Sequence, residues 1–124
     1  MAIANIEKTV CEHLAAVLGV PASTRAHGDE AEYVRAFRTG GVRSLVDDRP
    51  RITVDVWAGL EEPTQALAER AYDALMALGG RQPDGSIVYG VEEVGGLAND
   101  PDPTTSAIRY TFTVELHLRR RRRI

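Results

Sequence analysis

Residues 108–119 read Ile-Arg-Tyr-Thr-Phe-Thr-Val-Glu-Leu-His-Leu-Arg. Ile108, Tyr110, Phe112, Val114, Leu116 and Leu118 alternate without a break with Arg109, Thr111, Thr113, Glu115, His117 and Arg119. That period of two belongs to a strand with one wholly apolar face. Extended at about 3.4 Å per residue, the stretch reaches roughly 37 Å, about twice an ordinary strand. Such a strand is expected to outrun its own domain's sheet and to need cover for its overhang from something else.

Working back from it, residues 95–107, GGLANDPDPTTSA, read as a long polar loop with two prolines. Residues 86–94 carry Ile87, Val88, Tyr89 and Val91 and read as a strand, in which Gly90 marks a bulge. The turn Gln82-Pro83-Asp84-Gly85 precedes it. Before that turn Leu67, Ala71, Ala74, Leu75 and Leu78 make the buried stripe of a helix, with Glu69, Arg70 and Asp73 mainly away from it. Glu61, Glu62 and Pro63 suit the first turn of this helix, and Gly79 and Gly80 stop it. Residues 51–57 alternate again, with Ile52, Val54 and Val56 on one face and Thr53, Asp55 and Trp57 on the other. Residues 33–38 read as a further strand, closed by Gly40 and Gly41. The N-terminal stretch has Ile3, Ile6, Val10, Leu14, Val17 and Leu18 at helical spacing, ended by Gly19 and Pro21, after which residues 21–31 read as loop.

The order is therefore helix, two strands, helix, two strands. It predicts an α+β domain over residues 1–118, with a four-stranded, mainly antiparallel sheet and both helices packed on one face. The other sheet face carries Thr, Glu, Arg and His and is left to water or a partner. Residues 119–124 form a basic C-terminal tail.

At 124 residues the chain has the size of one domain, and 44% hydrophobic with 27% charged residues excludes a disordered composition. No apolar run nears the roughly 18 residues of a bilayer span, so no membrane partner is expected. The start, MAIANIEKTVCEH, lacks the basic and uninterrupted apolar regions of a secretory signal, and synthesis in a cytoplasm is expected. The net charge of −3 hides an asymmetry: without Arg119, Arg120, Arg121, Arg122 and Arg123 the body holds ten basic against eighteen acidic residues. That run reads either as a solvated tail that protects the long strand from aggregation, or as a nonspecific contact for DNA phosphates or an acidic protein surface. No recognition helix or aromatic RNA-binding strand accompanies it.

No residue pattern signals chemistry. Cys11 stands alone and reads as core filler. His13, His27 and His117 are far apart in sequence and do not resemble a metal-binding pair. Asp47-Asp48, Glu61-Glu62, Glu92-Glu93 and Asp100/Asp102 each fit a turn, a helix start or a strand end. There is no nucleophile elbow, P-loop or dinucleotide fingerprint. The expectation is a protein that is not an enzyme, with no catalytic residues, no cofactor and no metal.

Two stretches carry a family resemblance. TGGVRSLVDDRPRITVDVWAGLEEPTQALAERAYDALMAL sets a Gly-containing turn and an Asp-Arg-Pro element before a Val-rich strand, an acidic bend and an alanine-rich helix. IVYGVEEVGGLANDPDPTTSAIRYTFTVELHLR follows with a strand, a Gly and Asp-Pro loop and the long terminal strand. In this order the chain resembles the tail terminator, or tail completion, proteins of long-tailed bacteriophages, particularly those of actinobacterial phages. The motifs are loose, and the five-arginine ending is longer than the one or two basic residues usual at that point of the family.

The resemblance implies a virion structural protein that closes into a homo-oligomeric ring, typically a hexamer, on the head-proximal end of the tail tube. Such a ring stops tube polymerisation and offers the head-joining surface, with the tail tube protein and a head-to-tail connector protein as partners, after assembly in the host cytoplasm. Another connector component, a stopper or adaptor, is the neighbouring reading, and a nucleic-acid-associated accessory protein acting through Arg119 to Arg123 is the alternative from a different class. Ring closure needs a heterologous interface. The polar connection containing Arg43, Asp47, Asp48 and Arg49, and the loop containing Asn99, Asp100 and Asp102, are the expected subunit or partner contacts, because adaptable loops on rigid strands usually carry binding. Trp57 reads either as a partner anchor or as core filler.

Overall fold

A computed structural model describes residues 6–25, 30–44, 47–81 and 87–119. It is α+β: a mixed sheet of six strand segments with two helices. In chain order these are α1 (Ile6–Leu18), β1 (Ala22–Ser23), β2 (Tyr33–Gly40), β3 (Asp47–Asp48), β4 (Arg51–Trp57), α2 (Glu61–Met76), β5 (Ile87–Asn99) and β6 (Tyr110–Arg119).

The long alternating stretch lies inside the sheet. On one side β6 pairs antiparallel with β4, from Val56↔Tyr110 to Arg51↔Glu115, and then with β3, Asp48↔Leu118 and Asp47↔Arg119. Every step back along one strand is a step forward along the other, so β3 and β4 are one line in a single register, interrupted at Arg49 and Pro50. Proline has no N–H to give to a ladder, yet its carbonyl accepts from Leu116 N at 3.0 Å and keeps the line aligned. On its other side β6 pairs with β5 along its whole length. The expected overhang is thus corrected: the end at Leu118 and Arg119 is flanked by Asp47–Asp48 and by Ile87–Val88 of the same chain.

The expectation of four antiparallel strands is corrected too. The two additional segments, β1 and β3, are two residues each, and β1 runs parallel to β2 through Ala22↔Val34 and Ser23↔Arg35. The expected strand over residues 86–94 and loop over 95–107 also shift. β5 runs to Asn99, and the irregular connection is left with residues 100–109. Glycines at 95 and 96 read as loop, but Gly95↔Thr113 and Ala98↔Thr111 pair across a broken register. The bulge expected at Gly90 is present between Val88 and Gly90, which leaves Tyr89 as the extra residue.

Both helices pack on the sheet face formed by Val34, Ala36, Ile52, Val54, Val56, Val88, Phe112, Val114, Leu116 and Leu118. From α1 come Ile6, Val10, Cys11, Leu14 and Leu18, and from α2 Leu67, Ala68, Ala71, Ala74 and Leu75. Cys11 is core filler as expected: its Sγ lies 3.6 Å from the Ala36 carbonyl, and burial pushes its thiol up from the ordinary value. Val17 is corrected from core to surface at 52% exposed, while Leu18 turns inward beside it. Gly19, at φ 70°, ends the helix with its N–H on Ala15 O, and Ile3 lies outside the described residues. At the start of α2, Pro63 is third rather than first, still within the turn whose N–H groups have no helical acceptor. Among the described residues no side chain caps this turn; Thr64 Oγ1 instead ties the helix to the chain before it, accepting from Ala58 N and donating to Leu60 O. His13 joins the two helices, its Nε2 donating to Ala74 O at 2.8 Å.

Candidate functional site

Cross-strand partners share a sheet face, so the register assigns the face away from the helices. It holds Tyr33, Arg35 and Phe37 of β2, Arg51, Thr53, Asp55 and Trp57 of β4, Thr111, Thr113, Glu115, His117 and Arg119 of β6, and Glu92 of β5. Thr53 and Thr113 share a hydrogen bond at its centre, 2.9 Å long, and Arg35 stacks over Phe37. The two ends of this face differ.

At one end the 100–109 connection folds back over the sheet. Arg109 bonds the Asp100 carbonyl and carboxylate at 2.8 Å each, and its guanidinium also approaches Asp55 and the Trp57 ring. Asp102 accepts from Thr104 N; that bond, with help from Arg109 and Trp57, holds its carboxyl below the ordinary value. Asn99 is exposed and donates to Glu61 Oε1, tying β5 to the start of α2. Trp57 is only 2% exposed, against Tyr33. Of its two sequence readings, filler is therefore the one the fold matches, although it sits on the sheet face opposite the main core.

At the other end, beside the Arg43 to Arg49 connection, Asp47 stands opposite Arg119 on this face, while Asp48, opposite core-facing Leu118, is turned to the helix side. Asp48 is buried, with its carboxylate clamped by Arg38 at 2.9 and 3.1 Å and by Arg43 at 3.3 Å. Burial by itself would raise this carboxyl, but the arginine hydrogen bonds outweigh it and the group is held below its ordinary value. Asp48 is thus a fastening inside the chain, while Arg43, Asp47 and Arg49 reach the surface around it. Gly41 sets how closely the connection folds back. It has φ 106°, and a Cβ there would lie 2.0 Å from the Arg49 carbonyl oxygen. Gly41→Ala is expected to cost about 2 kcal/mol, read as a lower urea midpoint, from the left-handed backbone and the displaced 43–49 segment together.

Beside that connection is a cluster that the spacing of the histidines conceals. Glu92 and Glu115 are directly opposite one another on β5 and β6. His117 Nε2 lies 3.0 Å from Glu115 Oε1 and 3.5 Å from Glu92 Oε2, while Glu115 Oε2 takes Arg51 Nε at 3.3 Å. Tyr89 packs against the His117 ring, Arg119 lies over Tyr89, and Arg49 reaches the Tyr89 hydroxyl. Arg119, expected in the tail, is the last residue of β6 and lies 3.7 Å from Asp47. Arg120, Arg121, Arg122 and Arg123 lie outside the described residues, as does His27. The fold brings Asp47, Arg49 and Arg119 together on this end and sets Asn99, Asp100 and Asp102 at the other.

No protein-family model matches this chain, and no curated protein matches it. Among the described residues no helix is long and apolar enough to cross a membrane.

Proposed function

We propose that the chain is a ring-forming structural subunit, a phage tail terminator, with a four-stranded antiparallel core (β2, the β3/β4 line, β6 and β5) to which β1 is an appendage. The observation that carries this reading is the one-sided sheet. Both helices cover one face, and the other presents arginines, glutamates and a histidine at the surface end where Asp47, Arg49 and Arg119 meet. A rigid, mixed-charge sheet face suits contact with a second surface of a neighbouring copy, because charge complementarity sets register and orientation. The family resemblance supplies the identity of the assembly. The neighbouring reading, a stopper or adaptor, differs in the partner and not in this geometry.

Light scattering over a concentration series tests it. The expected result is a closed oligomer near six times the 13.5 kDa protomer, weakened by high salt because exposed charge pairs are screened. A chain that stays monomeric throughout and also fails to cap isolated tail tubes sinks the reading. Capture by a portal-side connector in place of the tube would move the assignment to stopper or adaptor.

A further inference from the structure

The cluster of Glu92, Glu115 and His117 has the ligand set of a transition-metal site. One ligand atom from each lies within 4.8 Å of the others. A tetrahedral zinc ion with bonds near 2.0–2.2 Å separates its ligand atoms by about 3.4 Å. The distances from His117 Nε2 to the two carboxylates are 3.0 and 3.5 Å, which straddle that value. The Glu92 side chain is 67% exposed and is the ligand with room to turn toward the third corner of a tetrahedron.

Two features of the strands favour a cation there. Carboxylates directly opposite on paired strands repel, and Glu92 and Glu115 are such a pair, with Arg51 on the second oxygen of Glu115 and Arg49 further off. Opposite His117 stands Gly90, where a Cβ would come within 3.3 Å of Nδ1, so the absence of a side chain there keeps room for the imidazole ring. Arg51 holds the second oxygen of Glu115 and orients the first, the outer-shell support that metal-ligating carboxylates commonly have.

We infer that Glu92, Glu115 and His117 bind one divalent transition ion of the zinc class, which cross-links β5 to β6 on the open sheet face. An imidazole nitrogen with two carboxylates suits zinc or cobalt; calcium and magnesium ask for six or more oxygen ligands, which three side chains do not supply. The two carboxylates balance the charge of the ion. The fourth position is left to water or to an acidic group from outside. The site does not depend on the ring reading, since it lies within one chain.

The test is titration of the tag-free full-length chain with zinc chloride by calorimetry, and with cobalt chloride by visible absorption. One equivalent is expected to bind, and cobalt is expected to give the intense d–d bands of four-coordination. Glu92→Gln and His117→Ala should each weaken binding by more than the roughly tenfold to hundredfold that loss of an outer-shell partner costs. Glu93→Gln should bind as the parent does, because Glu93 pairs with core-facing Val114 and points to the other side. Glu92→Gln keeps the shape of an exposed side chain, so a folded variant is assured even if His117→Ala unfolds. Absence of stoichiometric binding, or binding that Glu92→Gln leaves unchanged, overturns the inference.

Discussion

Phe112→Ala is expected to lower the unfolding free energy by about 4 kcal/mol, a large part of what a domain of this size possesses. Phe112 is 1% exposed and sits in an inner strand, opposite Val54, where β4 and β5 flank β6 and both helices close over the sheet. Its ring meets Tyr72 of α2 edge-on, with centroids 5.5 Å apart. Truncation removes apolar area and leaves a cavity that β6, hydrogen-bonded on both sides, cannot close by moving. Urea unfolding followed by circular dichroism reads the effect. A loss below 1 kcal/mol would mean that the helices do not rest on this strand, and would count against the core described here.

That core was the legible part. Residues 108–119 alternate without exception, which places Phe112 in the interior, and the same period places Ile52, Val54 and Val56 there. The stripe of α2 was equally clear, since leucine and alanine recur at helical spacing and two glycines follow. Val17 lies at the margin of its stripe: the spacing from Val10 and Leu14 admits it, and only the position of the sheet decides that Cys11 and Leu18 face inward while Val17 does not. Two-residue strands have no period to detect, so β1 and β3 could not be read. Gly95 and Gly96 carry turn chemistry, so the sequence ends this strand at Val94, whereas the structure uses glycine there within an irregular pairing to β6.

The candidate site was hidden for a different reason. Glu92 and His117 are neighbours through the register of β5 on β6, and that register shifts by one residue at Tyr89. Without knowledge of the bulge, side-chain faces beyond it are assigned incorrectly. Trp57 posed the same difficulty in reverse. Alternation put it on the polar face, and its burial comes from Tyr33 and the 100–109 connection, whose return across the sheet depends on the Arg109 contacts with Asp100 and Asp55.

Asp48→Ala is expected to cost about 3 kcal/mol at neutral pH, far more than the sequence reading of a polar connection implies. The carboxylate is 8% exposed and accepts from Arg38, itself 21% exposed, in a bidentate pair, with Arg43 alongside. Its removal leaves two guanidinium groups facing each other with no anion between them, one of them largely out of water. Arg43→Ala leaves the Arg38 pair intact and removes a side chain that is 45% exposed, so it should cost about 0.5 kcal/mol. The acid dependence separates the charge from the packing. The folded-state carboxyl is held below its unfolded value, so the stability it contributes is fully present above about pH 4 and is lost as the pH falls through the lowered folded value. The gap between parent and Asp48→Ala should therefore narrow on acidification below about pH 4 and stay constant above it. A gap that is unchanged down to the acid limit would mean that Asp48 acts through shape alone. Because Asp48 and Leu118 are paired across β3 and β6, the variant should also loosen the neighbouring Asp47–Arg119 contact, and hence the surface proposed for subunit contact. Hydrogen exchange at the amides of residues 47, 48, 118 and 119 is expected to rise in Asp48→Ala and to stay near the parent's in Arg43→Ala.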